Sequence, residues 1–199
     1  MIHPVVKYSI LLLSISLLSM NFSFNSTQIK DNMNHQPSKY GIEGHQAPEL
    51  SKDIEWIDGE GKDTEAIQLA NHKGKFKIIY GFQSWCPGCH SRGLPALKKM
   101  VDALEGNDKV SFFAIQTVFE GKRVNTKDKL RETQESYDLG IPFGHDIGSE
   151  ETNNRSSTMY DYRTGGTPWF IFINQQDVVV FNDYHLNVDK AIEYLKGIE

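Results

Sequence analysis

The chain predicts an α/β domain built on a layered sheet of mixed strand direction, and three observations carry that expectation. Near-continuous apolar runs at residues 76–82 (FKIIYGF) and 109–119 (KVSFFAIQTVF) have the β-branched and aromatic content of buried strands. Between them Leu94, Leu97, Met100, Val101 and Leu104 recur at helical spacing, and Gly106 closes the helix. Further on, PWFIFIN at 168–174 and VVVF at 178–181 flank the turn Gln175-Gln176-Asp177, which makes them an antiparallel hairpin. A terminal helix over 188–195, stopped by Gly197, follows. A strand–helix–strand unit joined to a hairpin gives a sheet that cannot be wholly parallel.

In chain order, the first 25 residues are a separate object. Lys7 precedes the run ILLLSISLLSM at 10–20, an apolar stretch of about eleven behind a basic start, as in a secretory signal. With Val5, Val6, Tyr8, Phe22 and Phe24 it extends to about twenty residues, enough to span a bilayer. No Ala-x-Ala cleavage site occurs, and no cysteine follows that could take a lipid. Residues 1–25 are therefore expected to act as a signal peptide or signal anchor, with residues 5–24 as the anchoring span. The protein would then lie in the periplasm or on the outer face of the membrane. Residues 26–40 are polar and unpatterned, a flexible tether, and residues 41–199 form the folded domain.

Within that domain, Leu50, Ile54, Trp56 and Ile57 ahead of Asp58-Gly59 and Glu60-Gly61 suggest short strands and a turn. His72-Lys73-Gly74-Lys75 is a loop. Residues 125–137 read as a polar helix, Leu139-Gly140-Ile141-Pro142 leads to a short strand around Phe143, and 151–162 is a second polar helix. Phe170, Phe172 and Phe181 belong to the core.

Composition narrows the function. The 199 residues carry a net charge of −5, and without the first 25, which hold one basic residue, 20 basic side chains face 26 acidic ones. No basic stripe remains to neutralise a phosphate backbone, so nucleic acid is not an expected partner. Two cysteines exclude both a disulfide-dense scaffold and a four-cysteine zinc site.

Those two cysteines lie in Trp85-Cys86-Pro87-Gly88-Cys89-His90, at the junction of the 76–82 strand with the following helix. At a helix start, free N–H groups and the dipole favour a thiolate on Cys86, while Cys89 lies one turn further in and is shielded. One thiolate attacks and the other resolves the mixed disulfide. The motif is also C-x-x-C-H, the attachment signature of a c-type haem, but the surrounding strands contrast with the helical build of small cytochromes. A structural disulfide in a non-enzymatic envelope protein is a third reading.

Trp85-Cys86-Pro87-Gly88-Cys89 resembles the active site of the thioredoxin superfamily, and Gly165-Gly166-Thr167-Pro168 ahead of WFIFIN resembles its Thr–Pro loop. Ala47-Pro48-Glu49-Leu50, Gly61-Lys62 and Lys73-Gly74-Lys75 are similar to the TlpA-like branch. The resemblance implies a thioredoxin-like fold with an N-terminal strand extension and an insertion after the third core strand, over residues 120–161. It implies Cys86 as nucleophile, Cys89 as resolving thiol, and an active-site loop of Trp85, Pro87, Gly88, Thr167 and a cis Pro168 near Cys86. No cofactor is implied beyond a redox-active Cys86–Cys89 disulfide. Its partners would be protein disulfide substrates and a membrane electron donor.

The departures are specific. Thioredoxins place a buried acid six residues before the first cysteine, where this chain has Tyr80, and His90 or a water is left as proton acceptor for Cys89. Peroxiredoxins share the fold but want proline and threonine seven and three residues before the cysteine; here those are Ile79 and Gln83. Trp85 either flanks a substrate groove or braces the loop, and Arg92 is a solvated helix residue or a modulator of thiolate charge. His145-Asp146 and Asp183-x-His185 read as solvated turns, without the spacing of metal ligands.

Overall fold

The computed structural model describes residues 40–198; the expected signal or anchor (1–25), and the tether up to residue 39, lie outside them. Seven strands follow in order: β1 (Glu55–Ile57), β2 (Asp63–Thr64), β3 (Phe76–Phe82), β4 (Val110–Thr117), β5 (Phe143–Asp146), β6 (Trp169–Ile173) and β7 (Val179–Asp183). Four α-helices accompany them: α1 (Leu94–Ala103), α2 (Lys127–Ser136), α3 (Ser157–Asp161) and α4 (Val188–Lys196). The strands form one sheet in the order β2-β1-β5-β4-β3-β6-β7. Strands β3, β4 and β5 run parallel, whereas β6, β7, β1 and β2 each pair antiparallel, so the sheet is mixed. No helix of the described residues is long and apolar enough to cross a membrane.

β3 is an interior strand, between β4 and β6, and has a core on each side. Phe76, Ile78, Tyr80 and Phe82 pack on one face with Leu94, Leu97 and Met100 of α1 and Ala191 and Leu195 of α4. Ile79 points to the other face, with Phe113, Ile171, Tyr162 and the N-terminal Leu50 and Ile54. Burial on both faces is why residues 76–82 read as a continuous apolar run rather than an alternating one. Lys77, also fully buried, is tolerated because its Nζ is 2.5 Å from Asp177 Oδ1 and donates to the His72 carbonyl at 3.3 Å.

The N-terminal extension is the β1–β2 pair, docked on β5 with Trp56 opposite Gly144. Glu49 of Ala47-Pro48-Glu49-Leu50 folds back on the backbone: its carboxylate accepts from Leu50, Leu69 and Ala70 N–H, the last two opening a 3-10 turn at Leu69–His72. The segment after β4 supplies α2, β5 and α3. Two expectations are corrected there. Residues 151–162 do not form one helix; Asn153 and Asn154 take positive φ of 52° and 55° and separate a 3-10 turn at Glu150–Thr152 from α3. Nor is His145-Asp146 a solvated turn. Both lie on β5, His145 bonding Gln116 Oε1 at 2.6 Å, and the buried Asp146 carboxylate accepts from Ser157 N, Thr158 N and the Ser156 hydroxyl at the start of α3.

Candidate redox site

β3 ends at Phe82, and the chain turns once before its helix begins. The Cys86 N–H donates to Gln83 O at 3.0 Å, and Cys86 O accepts from the N–H groups of Cys89 and His90 at 3.1 and 3.2 Å. Cys86 therefore occupies the mouth of the helix and Cys89 its first turn. Both are free thiols. Cys86 retains 7% of its surface, whereas Cys89 has none. The Cys86 sulfur receives the Cys89 N–H at 3.2 Å and lies 3.7 Å from the Thr167 carbonyl. Burial first, then hydrogen bonding to the Cys86 thiol, pushes the Cys89 thiol up to about 12. Cys89 therefore remains protonated at neutral pH while the sulfur at the helix mouth is the accessible one.

Pro168 follows a cis peptide bond from Thr167. Its ring lies on the cysteine helix: a Cβ on Gly88 would stand 3.4 Å from Pro168 Cδ, and one on Gly93 would stand 2.8 Å from Pro168 Cβ. Residues Cys89–Gly93 widen into a π-helical turn ahead of α1. Tyr80 is tucked against that turn. It is fully buried, its hydroxyl donates to Cys89 O at 3.4 Å, and a Cβ on Gly93 would meet its Oη at 2.1 Å. Burial and the neighbouring Cys89 hold the phenol well above its usual range, so a neutral hydroxyl occupies the place of the thioredoxin acid. Sequence reasoning passed over Gly93, although a glycine inside a helix costs about 1 kcal/mol against alanine and signals a close approach.

On the opposite flank, Trp85 is 45% exposed and forms one wall of a cavity of about 680 Å³ with Ser84, His90, Val124 and Tyr137. Its indole also donates to Gln83 Oε1 at 3.3 Å, so the side chain both braces the loop and borders the cavity. Asn125 pins the same loop: its Oδ1 accepts from Ser84 N at 2.9 Å, and its Nδ2 donates to Gln83 Oε1 and to Glu120 O. His90 turns away from the cysteine sulfurs. Its Nε2 is 2.7 Å from Ser84 O and its Nδ1 is 3.0 Å from Tyr137 Oη. Asn125 and Tyr137, at the two ends of α2, were invisible as site residues because nothing local marks them. Pro87 and Arg92 are exposed. Among the described residues no three of His, Cys, Asp and Glu converge as a metal site would require; Asp183, buried at the end of β7, accepts from the Tyr184 and His185 N–H groups and lies 3.9 Å from His185 Nδ1.

A family model described as the AhpC/TSA family matches residues 44–182. The chain belongs to the AhpC/TSA family. A thioredoxin-like superfamily protein of known structure is 28% identical to this family member, with a TM-score of 0.64, covering 76% of this chain and 96% of its own. A thiol-disulfide isomerase from Corynebacterium glutamicum is 26% identical, with a TM-score of 0.63, covering 76% and 94%. The thioredoxin domain of a thiol-disulfide oxidoreductase from Bacteroides vulgatus shares the fold at 16% identity and a TM-score of 0.57, covering 79% and 99%. No curated protein matches. These likenesses make the chain a thioredoxin-fold member of the thiol–disulfide oxidoreductase group, with the seven-stranded mixed sheet that the sequence predicts in outline.

Proposed function

We propose that this AhpC/TSA family member is an exported, TlpA-like thiol–disulfide oxidoreductase that reduces disulfides in other proteins through the Cys86/Cys89 dithiol. The observation that carries this reading is the asymmetry of the two thiols, one at the helix mouth and one fully buried and held protonated. The Cys86 thiolate attacks a client sulfur; a Cys86–client bond forms, the client disulfide breaks, and one client thiolate leaves. Cys89 then attacks the Cys86 sulfur. A Cys86–Cys89 disulfide forms, the second client thiolate departs, and the proton from Cys89 passes to it. Two electrons have moved to the client, and a dithiol donor at the membrane returns them. Pro168, Thr167, Pro87 and Gly88 shape the entry to Cys86, and Trp85 borders it. Export rests on the apolar segment within residues 1–25.

The family also contains peroxide-reducing enzymes, but this site lacks their signature beside the nucleophile. Residue 83 is a glutamine whose side-chain oxygen is already bonded by Asn125 and Trp85, and residue 79 is an isoleucine in the sheet. A c-type haem and a purely structural disulfide have less support, from a scaffold built on a seven-stranded sheet and from the unequal burial of the sulfurs.

Cysteine substitutions test the reading. Cys89→Ser should accumulate mixed disulfides with client proteins, and Cys86→Ser should form none. A reduction potential near −270 mV identifies a reductase and one near −120 mV an oxidase. If neither variant traps a client and disulfide exchange persists, the proposal is wrong.

A further inference from the structure

The His90 imidazole carries a hydrogen-bond pattern that a neutral ring satisfies incompletely. Nε2 is 2.7 Å from the Ser84 carbonyl, an acceptor, so Nε2 must bear a hydrogen. In a neutral ring Nδ1 is then bare. Tyr137 Oη stands 3.0 Å from Nδ1 and also 3.0 Å from His90 O. The hydroxyl has one hydrogen, so with a neutral ring two acceptors compete for it and one goes without. With a protonated ring, Nδ1–H donates to Tyr137 Oη, Tyr137 O–H donates to His90 O, and Nε2–H donates to Ser84 O, so every group is matched.

From this geometry we infer that His90 is a positioning residue, held as an imidazolium between Ser84 and Tyr137, whose charge favours the Cys86 thiolate. The inference rests on the oxidoreductase reading of the same site. Ser84 lies two residues before Cys86, and the backbone N–H of His90 donates to Cys86 O at 3.2 Å, so the residue is tied to the nucleophile's turn through both its ring and its backbone. A cation at a helix start opposes the helix dipole, and the Ser84 carbonyl offsets that. The other titratable groups around the ring are Cys86 and Cys89 on its own turn, with Tyr80 behind Cys89, and Lys129, Glu132 and Tyr137 in the wall of the cavity that it borders. Lys129 and Glu132 pair with each other at 2.5 Å, so the cavity wall adds no net charge. Burial first, and then the neighbouring Cys89, push the Tyr137 phenol upward, which keeps it a hydroxyl donor. Tyr137 thus couples the end of the segment after β4 to the redox turn across 47 residues.

The test is the rate at which iodoacetamide alkylates Cys86 in the reduced full-length protein, followed from pH 5.5 to 9, for the wild type, His90→Gln and Tyr137→Phe. Below the thiolate plateau the wild type should react about 3–10 times faster than His90→Gln, equivalent to a lowering of about half to one pH unit in the thiolate titration. The two should converge near pH 9, and Tyr137→Phe should fall between them. A merely structural role would change the rate by the same factor at every pH. Superimposable profiles for all three proteins overturn the inference while leaving the oxidoreductase reading intact; loss of client trapping by Cys89→Ser would instead overturn that reading. Should His90→Gln fail to fold, the ¹⁵N shifts of the wild-type ring decide. Two protonated nitrogens at pH 6 support the clamp, and an Nε2–H tautomer alone at that pH refutes it.

Discussion

Replacing Gly93 with alanine should destabilise the protein by about 2–3 kcal/mol, although on an exposed helix the same change stabilises by about 1 kcal/mol. The sign reverses because of what the new methyl group would meet. An ideal Cβ would lie 2.1 Å from Tyr80 Oη, 2.8 Å from Tyr80 Cζ and 2.8 Å from Pro168 Cβ. None of these can withdraw easily. Tyr80 is fully buried, with its ring stacked on Phe82 at 5.8 Å and tilted against Phe170 at 4.8 Å. Overpacking of this kind costs about 1–3 kcal/mol, and three simultaneous contacts place it at the upper end. Urea unfolding of the reduced protein, followed by tryptophan fluorescence, gives the number. Tyr80→Phe removes the oxygen in the closest contact and gives up a 3.4 Å hydrogen bond to Cys89 O, at a cost below about 1 kcal/mol. The double variant should therefore lose at least about 1 kcal/mol less than the two single losses combined, with the two 2.8 Å contacts preventing full rescue. A neutral or stabilising Gly93→Ala, or strict additivity with Tyr80→Phe, would refute the packing account of this turn.

The elevated Cys89 thiol makes the dithiol form sensitive to alkali. Its folded value is raised from 9.0 to about 12, so between those limits the unfolded chain loses the proton and the folded one keeps it. The contribution is intact below pH 9 and is lost as pH rises toward 12, at up to about 1.4 kcal/mol per pH unit. Urea midpoints at pH 8, 9 and 10 should accordingly fall faster for the dithiol than for the disulfide form, and parallel curves would contradict the assignment. Asp146→Ala should cost about 2–3 kcal/mol, because the carboxylate accepts from Ser157 N, Thr158 N and the hydroxyls of Ser156 and Ser157. Amide exchange at Ser157 and Thr158 should accelerate with it, and a loss below about 0.5 kcal/mol would show that α3 does not depend on this cap.

Much of this protein is legible one segment at a time. The expected strand over residues 76–82 is β3 to the residue, and the expected hairpin, α1 and terminal helix all appear, because burial on a strand or helix leaves a period in the local sequence. The redox motif is equally local: two cysteines three apart at a strand-to-helix junction need no partner to be noticed. Polar elements are less readable. Residues 150–161 have no apolar stripe, so the break at Asn153 and Asn154 and the cap from Asp146 emerge only once β5 has placed that carboxylate under α3. The surroundings of the cysteines belong wholly to tertiary structure. Cys86 meets Thr167 across 81 residues, His90 meets Tyr137 across 47, and Ser84 meets Asn125 across 41. Sequence by itself determined which segments are buried and where the thiols lie along the chain. Which side chains surround those thiols was decided by sheet order and register, since a strand's neighbours are chosen by the packing of the whole sheet rather than by its own residues.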